Sequence, residues 1–591
     1  MNTLIAVVLG AATFYLGYQY ATRVDKDVIK ADPKKATPAK MYMDGVDFSP
    51  ASRNVLYGFQ FKSIAAAGPI VGVITAASLW GWLPALIWLL LGVSFIGWVQ
   101  DYTAMMMSTR RDGDSLSATA HKLMSPTSRT ILLIFIFIYV LVIAGAFGNL
   151  VSNTFSSNPS VPLGIITLAI AGLLGGQMLY RWKMDLIVVT VVTVGLTLIA
   201  ILIGPTDVVK GAITSLNTSL DSLSGGQPLY QVFDPMANTY MKYTPSYVFW
   251  LLFTVVFCYL GATLPIWRYA QPVNYIGFWV MAITLVGGFL GAIVAFFLRP
   301  ELASFTLPAF KAFDVGQKGA LQPLWPMLFV TVACGAISGW HSLISTVGTA
   351  RQLENETDAL SVGAGSMFSE NLLAILSLMA VSVGTKGAGA AAFASGVGNF
   401  LSVFGIDPAL GTAMAFAAFV IIVITVLQLA IRFMRVSLTE WLGDSMPIMR
   451  NVHVGTTISA ILMFFVVLSG TFTYLYQLFG GANQLMAALA LLLITLWLVS
   501  EGKSYLWAAI PMLFMYVTTI VANLITAWNL YVTVIQPNLG KAGYEIPIAG
   551  AALLILAALF LVGAALYLGW EGWKAYQRLR AKAPTVATAK A

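Results

Sequence analysis

The chain has 591 residues, 59% of them hydrophobic and only 9% charged, with a mean hydropathy of +0.83. Soluble domains carry roughly 25% charged residues, so this composition excludes a water-surrounded globule and specifies an all-α polytopic membrane protein. The excess of 32 Lys and Arg over 24 Asp and Glu raises nucleic acid as a partner, but its distribution marks membrane orientation instead.

The first stretch, "MNTLIAVVLGAATFYLGYQYATR", has no basic residue before its apolar run and no clear cleavage site after it, so residues 1–22 read as a retained transmembrane helix. A basic linker, 23–63, follows on the cytoplasmic surface. Apolar segments of membrane length then occupy 64–80, 82–107, 130–151, 161–180, 185–204, 246–264, 275–298, 324–347, 366–383, 408–431, 453–470, 481–500, 505–528 and 547–570. With the leader these make 15 spans.

The Ala/Gly-rich stretch 387–405 is either a sixteenth span or a segment outside or re-entering the bilayer, and the positive-inside rule selects the second. With an outside N-terminus and a cytoplasmic C-terminus, 25 of the 32 basic residues then fall inside. Outside lie Lys210, Lys242, Arg299, Lys311, Lys318, Lys386 and Lys541. The expected organisation is a five-helix repeat at 64–204, an outer loop at 205–245, a second repeat at 246–435, C-terminal helices at 436–575 and a tail at 576–591.

Two spans look broken. "AAAGPIVG" (65–72) places Gly68, Pro69, Ile70, Val71 and Gly72 inside an apolar segment, where proline removes a backbone donor and clashes with the preceding turn. Five spans later, "CYLGATLPIW" interrupts 246–264 at Gly261 and Pro265. Broken helices of opposite direction at that spacing are what an inverted five-plus-five repeat produces, with substrate held between the breaks. The simpler alternative is that each proline only kinks its helix.

The eighth core span is polar for its depth, with Ser338, His341, Ser342, Ser345 and Thr346; Asp101 and Glu370 lie near the ends of other spans. A membrane histidine points to substrate or protons, and Asp101, His341 and Glu370 form a possible proton relay. Asn149 and Thr263 add polar contacts for substrate. In "FGGANQL", Gly480 and Gly481 suit close helix packing, and Asn483 and Gln484 suit interhelical hydrogen bonds. Cys258 and Cys334 lie in apolar segments, and His121, His341 and His453 have no metal-ligand spacing, so no metal or other cofactor is expected. No Walker loop is present.

Several strings resemble the carbon starvation protein A (CstA) family: "YGFQFKSIAAAGPIVG", "LGVSFIGWVQDYTAMMMSTRRDGDS", "LPIWRYAQPVNYI", "PLWPMLFVTVACGAISGWHSLISTVGTARQL" and "FGGANQLMAALAL". The resemblance covers about residues 50 to 500. It implies a bacterial inner-membrane transporter tied to nutrient scavenging under carbon limitation. Family members are described as peptide transporters, with some relatives importing pyruvate with protons. It also implies membership of the amino acid–polyamine–organocation superfamily. The superfamily's sodium site maps by analogy onto Ala65–Ala67 and Gly68 together with Ser342, Ser345 and Thr346. The sequence departs from the family where Val73 follows "GPIVG" in place of proline, and where Gln100 precedes Asp101 in place of histidine. The expectation is therefore a cation-coupled symporter, not an enzyme, carrying a peptide or a pyruvate-like carboxylate with a proton or sodium. A membrane metabolite sensor is the reading from another class.

Overall fold

The computed structural model describes residues 1–234, 239–332, 334–384, 387–470 and 472–582. Lys386 and the end of the tail, both used above for orientation, lie outside the described residues. Among the described residues, 12 helices are long and apolar enough to cross a membrane, or 13 if a bent pair counts as one span, against the expected 15.

In chain order the membrane helices are α1 (Thr3–Ile29), the bent pair α2 (Arg53–Ile64) and α3 (Gly68–Trp80), α4 (Trp82–Thr109), α5 (Pro126–Ser157), α6 (Pro162–Arg181), α7 (Leu186–Ile203), α8 (Pro245–Thr263) and α9 (Ala270–Leu298). There follow α10 (Glu356–Ser382), the shorter α11 (Gly389–Phe404) and α12 (Pro408–Leu442), then the 17-residue α13 (Val452–Leu468), α14 (Leu478–Ser500), α15 (Leu506–Asn538) and α16 (Glu545–Ala581). α11 is too short to cross 30 Å of hydrocarbon and packs against α10 and α12: Gly396 lies against Ala380 and Gly398 against Thr412. The outer loop, read from sequence as polar, contains the helix Asp207–Ser222 and an antiparallel hairpin pairing Tyr230 with Tyr243.

Burial sorts the helices. The hydrophobic window of α14 is wholly buried and those of α10 and α12 are 89% buried, whereas that of α1 is 22% buried and that of α7 33%. Outward residues such as Leu16, Ile187 and Val191 are apolar and exposed, as expected where lipid is the solvent. The central helices instead carry the polar side chains.

Two breaks interrupt the core. α2 and α3 meet at 52° across Ala65–Ala67. Here Ala65 adopts extended backbone (φ −62°, ψ 107°), and its carbonyl loses its helical partner because Pro69 has no N–H. The predicted break is therefore present, one turn earlier than Gly68–Gly72. The helix leading into it begins at Arg53, so 53–63 is membrane helix and not linker.

The second predicted break is not found. α8 runs continuously through Gly261 and ends at Thr263; Pro265 follows the helix and does not divide it. The other interruption lies in the eighth core span. A helical turn at Phe329–Thr331 ends at Val332, the described residues 334–338 are unwound, and helix resumes at Gly339 through Thr349. Gly335 has φ +83° in this stretch, a conformation that favours glycine.

A Cβ at Gly335 would also lie 2.6 Å from Ala374 Cβ. Gly335→Ala is expected to cost about 1–3 kcal/mol and to lower the melting temperature in detergent. Gly195→Ala, in α7 with nothing within 4 Å, should leave it unchanged or raise it. Equal melting of the two variants would remove the requirement for glycine at 335.

Candidate functional site

The two breaks touch. A Cβ at Gly68 would lie 2.6 Å from Cys334 Sγ, and one at Gly335 would lie 3.6 Å from Pro69 Cβ. Six membrane-length helices separate α3 from the 324–349 segment, so a chain that crosses at each of them runs the two breaks in opposite directions.

Unwinding at Val332 and across 334–338 frees carbonyls that lipid cannot satisfy, and side-chain amides from three helices take them. Gln484 Nε2 donates to Val332 O at 3.2 Å and to Ile337 O at 2.9 Å. Asn371 Nδ2 donates to Gly335 O at 2.6 Å and to Leu89 O at 2.9 Å. Gln100 Nε2 donates to Ser338 O at 2.6 Å.

Asn483 holds the restart of the helix. Its Oδ1 accepts from the Trp340 backbone N–H at 3.0 Å and from the Tyr139 hydroxyl at 2.6 Å. Gly480 lets α14 approach this segment: a Cβ there would lie 2.5 Å from Val330 O. Asn483 and Gln484, expected to join helices, thus hold the unwound chain itself. Gln100, noted as a departure from the family pattern, does the same.

At the restart, His341 points between two carboxylates. His341 Nδ1 lies 3.0 Å from Asp101 Oδ2 on α4, and Nε2 lies 3.2 Å from Glu370 Oε2 on α10. Side-chain exposure is 0% for His341 and Glu370 and 1% for Asp101. Asp101 Oδ1 accepts no hydrogen bond among the described residues. Fully ionised, two carboxylates and one imidazolium leave a net negative charge in a dry interior, which costs several kcal/mol; one further proton removes it. The arrangement is a buried titratable cluster at a chain break. Cys334 Sγ joins His341 and Glu370 with ligand atoms within 4.8 Å of one another. These are donor types that suit a transition metal, a grouping the histidine spacing did not disclose.

The other expected site residues divide. Gly68, Pro69, Ile70 and Gly72 are buried at the first break, and Val71 is half-buried. Ser342, Ser345 and Thr346 are fully buried but already bonded: the Thr346 hydroxyl donates to Ser342 O at 2.8 Å, the Ser342 hydroxyl to Gly339 O at 2.7 Å, and Ser345 Oγ accepts from Gln60 Nε2 at 3.1 Å. Asn149 lies elsewhere, accepting from the Tyr247 hydroxyl at 2.6 Å, and Thr263 donates to Tyr259 O at 2.7 Å in its own helix.

Gly261 faces Gln428, and the freed carbonyls at the end of α8 are capped: Arg432 Nη1 donates to Gly261 O at 3.3 Å and to Leu264 O at 3.2 Å. The sequence signals at 261–265 mark an ordinary helix end. Arg432 Nη2 also bonds Asp47 and Val46 O at 3.3 Å, pinning the loop ahead of α2.

A family model described as carbon starvation protein CstA matches residues 2–388 and 381–522. The chain belongs to the carbon starvation protein CstA family. Over 391 residues it is 31% identical to the peptide transporter CstA of Escherichia coli K12, covering 65% of this chain and 50% of that one. Over 389 residues it is 32% identical to the pyruvate/proton symporter BtsT of the same organism, covering 65% and 49%. The match thus spans about half the length of these two relatives. The peptide transporter CstA of Bacillus subtilis 168 aligns nearly end to end, 26% identical over 97% of this chain and 98% of that one. Among solved structures, MhsT in complex with L-phenylalanine aligns over 86% of this chain and 99% of that chain, at 11% identity and a TM-score of 0.45.

Two outcomes follow. Gln484→Leu removes both donors to Val332 and Ile337 and is expected to cost about 2–4 kcal/mol, read as a lower melting temperature; a silent variant would mean that the break is held without it. Burial pushes the Asp47 carboxyl up, but Arg432 and Arg435 outweigh it and hold the group down from 3.8 to about 2. Its contribution is therefore complete above the ordinary value and lost only as pH falls through about 2. The melting difference between the wild type and Asp47→Asn should stay constant from about pH 5 to 8. A difference that shrinks in that range would contradict the pairing.

Proposed function

We propose that this CstA-family chain is a secondary active symporter that takes up a small carboxylate-bearing nutrient together with a proton across the cytoplasmic membrane. The single observation that carries this reading is the buried Asp101–His341–Glu370 cluster placed where two broken segments meet. A lone anion is expensive in that setting. A monoanionic carboxylate arriving with a proton adds no net charge. Both ring nitrogens of His341 face Asp101 and Glu370, so a carboxyl that takes up the proton supplies the donor to the arriving carboxylate. Peptide and pyruvate are the substrates named among the relatives, and both carry a carboxylate.

The proton is preferred to sodium because the titratable groups meet at the break, with Asp101 and Glu370 flanking His341, whereas Ser345 Oγ already accepts from Gln60 Nε2 at 3.1 Å. The breaks supply the hinges for alternating access. The Lys/Arg distribution supports an outside N-terminus and a cytoplasmic C-terminus. The link to carbon starvation comes with the family.

Purified protein in liposomes, offered labelled pyruvate or dipeptides under separately imposed pH and sodium gradients, tests this. Accumulation is expected with acid outside and indifferent to sodium. Glu370→Gln, similar in shape but unable to carry the charge, should lower gradient-driven accumulation by about tenfold or more, equivalent to at least about 1.4 kcal/mol. Accumulation driven by sodium alone, or unaffected by Glu370→Gln, would overturn the proposal.

A further inference from the structure

Lys62 carries a basic group into the core that the cluster above does not use. Read from sequence it belongs to the cytoplasmic linker; in the structure it sits on α2, three residues before the Ala65–Ala67 break, with 0% exposure. Its Nζ has two acceptors, Ile422 O at 3.3 Å and the Thr425 hydroxyl, both on α12. The Thr425 hydroxyl spends its own proton on Ile421 O at 2.6 Å, so toward Lys62 it can only accept.

The elements packed on α2 present the phenol of Tyr275 on α9, Glu370 on α10, His341 in the restarted helix, and Arg432 and Arg435 on α12. Among the described residues none of them forms a hydrogen bond or ion pair with Lys62. Its aliphatic stem is enclosed as well: a Cβ at Gly277 would lie 3.3 Å from Lys62 Cε.

The donor count distinguishes the two forms of the side chain. An ammonium has three N–H donors. A neutral amine has two, equal to the number of acceptors present, and avoids an unpaired charge in a medium where that costs several kcal/mol. The surroundings also fix where a positive charge would be useful. The ionised Asp101–His341–Glu370 cluster carries one excess negative charge, and the same stretch of chain reaches toward it: Ser63, next to Lys62, accepts at its carbonyl from Trp340 Nε1 at 2.7 Å, beside His341.

We propose that Lys62 is a second proton-binding site, unprotonated in this conformation and taking up and releasing a proton as the transporter cycles. Protonation supplies a third donor with no partner on α12 and a charge that α12 does not neutralise. Both effects push α2 away from α12 and change the setting of the α2–α3 break. The inference rests on the transport reading above for its cycle, but its protonation state does not.

Two measurements test it separately. In lipid-reconstituted protein labelled at the lysine side-chain nitrogen, solid-state NMR near neutral pH should show one neutral-amine resonance that is missing from Lys62→Arg or Lys62→Met, whichever melts like the wild type. Only ammonium resonances, or a neutral one that survives both substitutions, would overturn the proposal without reference to transport. In liposomes, Lys62→Arg (always charged) and Lys62→Met (never charged) should keep substrate counterflow within about twofold and lose gradient-driven accumulation by about tenfold or more. Full accumulation by either variant would overturn it. Absent counterflow in the wild type would instead defeat the transport reading while leaving the NMR result to stand.

Discussion

Backbone hydrogen bonding at membrane depth is the constraint on which this structure turns. A continuous helix satisfies its own amides; a break inside lipid exposes several at a cost of several kcal/mol each. Here the unwinding at Val332 and across 334–338 is tolerated because Gln484, Asn371 and Gln100 donate to four of the freed carbonyls from α14, α10 and α4. Of those helices, α14 and α10 have hydrophobic windows that are wholly and 89% buried, and α4 buries Gln100, Asp101, Thr103, Ser108 and Thr109. The break and its amides are one device, and the fold is arranged to bring the second to the first.

The same device places the chemistry. Asn371 adjoins Glu370, Gln100 adjoins Asp101, and the helix that Asn483 restarts at Trp340 carries His341 one residue later. Each residue of the ionisable cluster is thus the neighbour of an amide that holds the break or its restart. The amides fix the backbone that the ionisable groups hang from, so a shift in the break and a shift in the cluster are one motion. In the proposed symport, a proton or carboxylate that alters the charge there would act directly on the hinge.

Much of this was legible in the sequence, unevenly. Composition gave the membrane class, and hydropathy gave most of the helices. The Gly-Pro in "AAAGPIVG" marked the first break because proline acts locally and always removes the same donor. Gly261 and Pro265 offered the same letters and misled, since glycine and proline also end helices, and only the distant Arg432 shows which role they play. The second break has no proline within it; its signal is Gly335 together with amides lying between 36 and 238 residues away in sequence, a pattern that local reading cannot assemble. His341, Asp101 and Glu370 were each conspicuous alone, but their convergence is a property of three helices.

Lys62 shows how far position in the fold can reverse the meaning of a residue. Counted by the positive-inside rule, it is one more cytoplasmic charge in a basic linker, because α2 is too polar to read as membrane: "RNVLYGFQFKSI" has two basic residues and a glutamine in 12. Tertiary packing overrides that composition. Gln60 is spent on Ser345 and Thr349, Lys62 on α12, and the remaining face is aromatic and aliphatic. A segment reads as polar when its polar groups are assumed to need water, and it becomes a membrane helix once each has a protein partner. The same exchange of water for protein partners governs the amides at the break and the acids beside it, so polar residues inside this protein are best read by what meets them and not by their hydropathy.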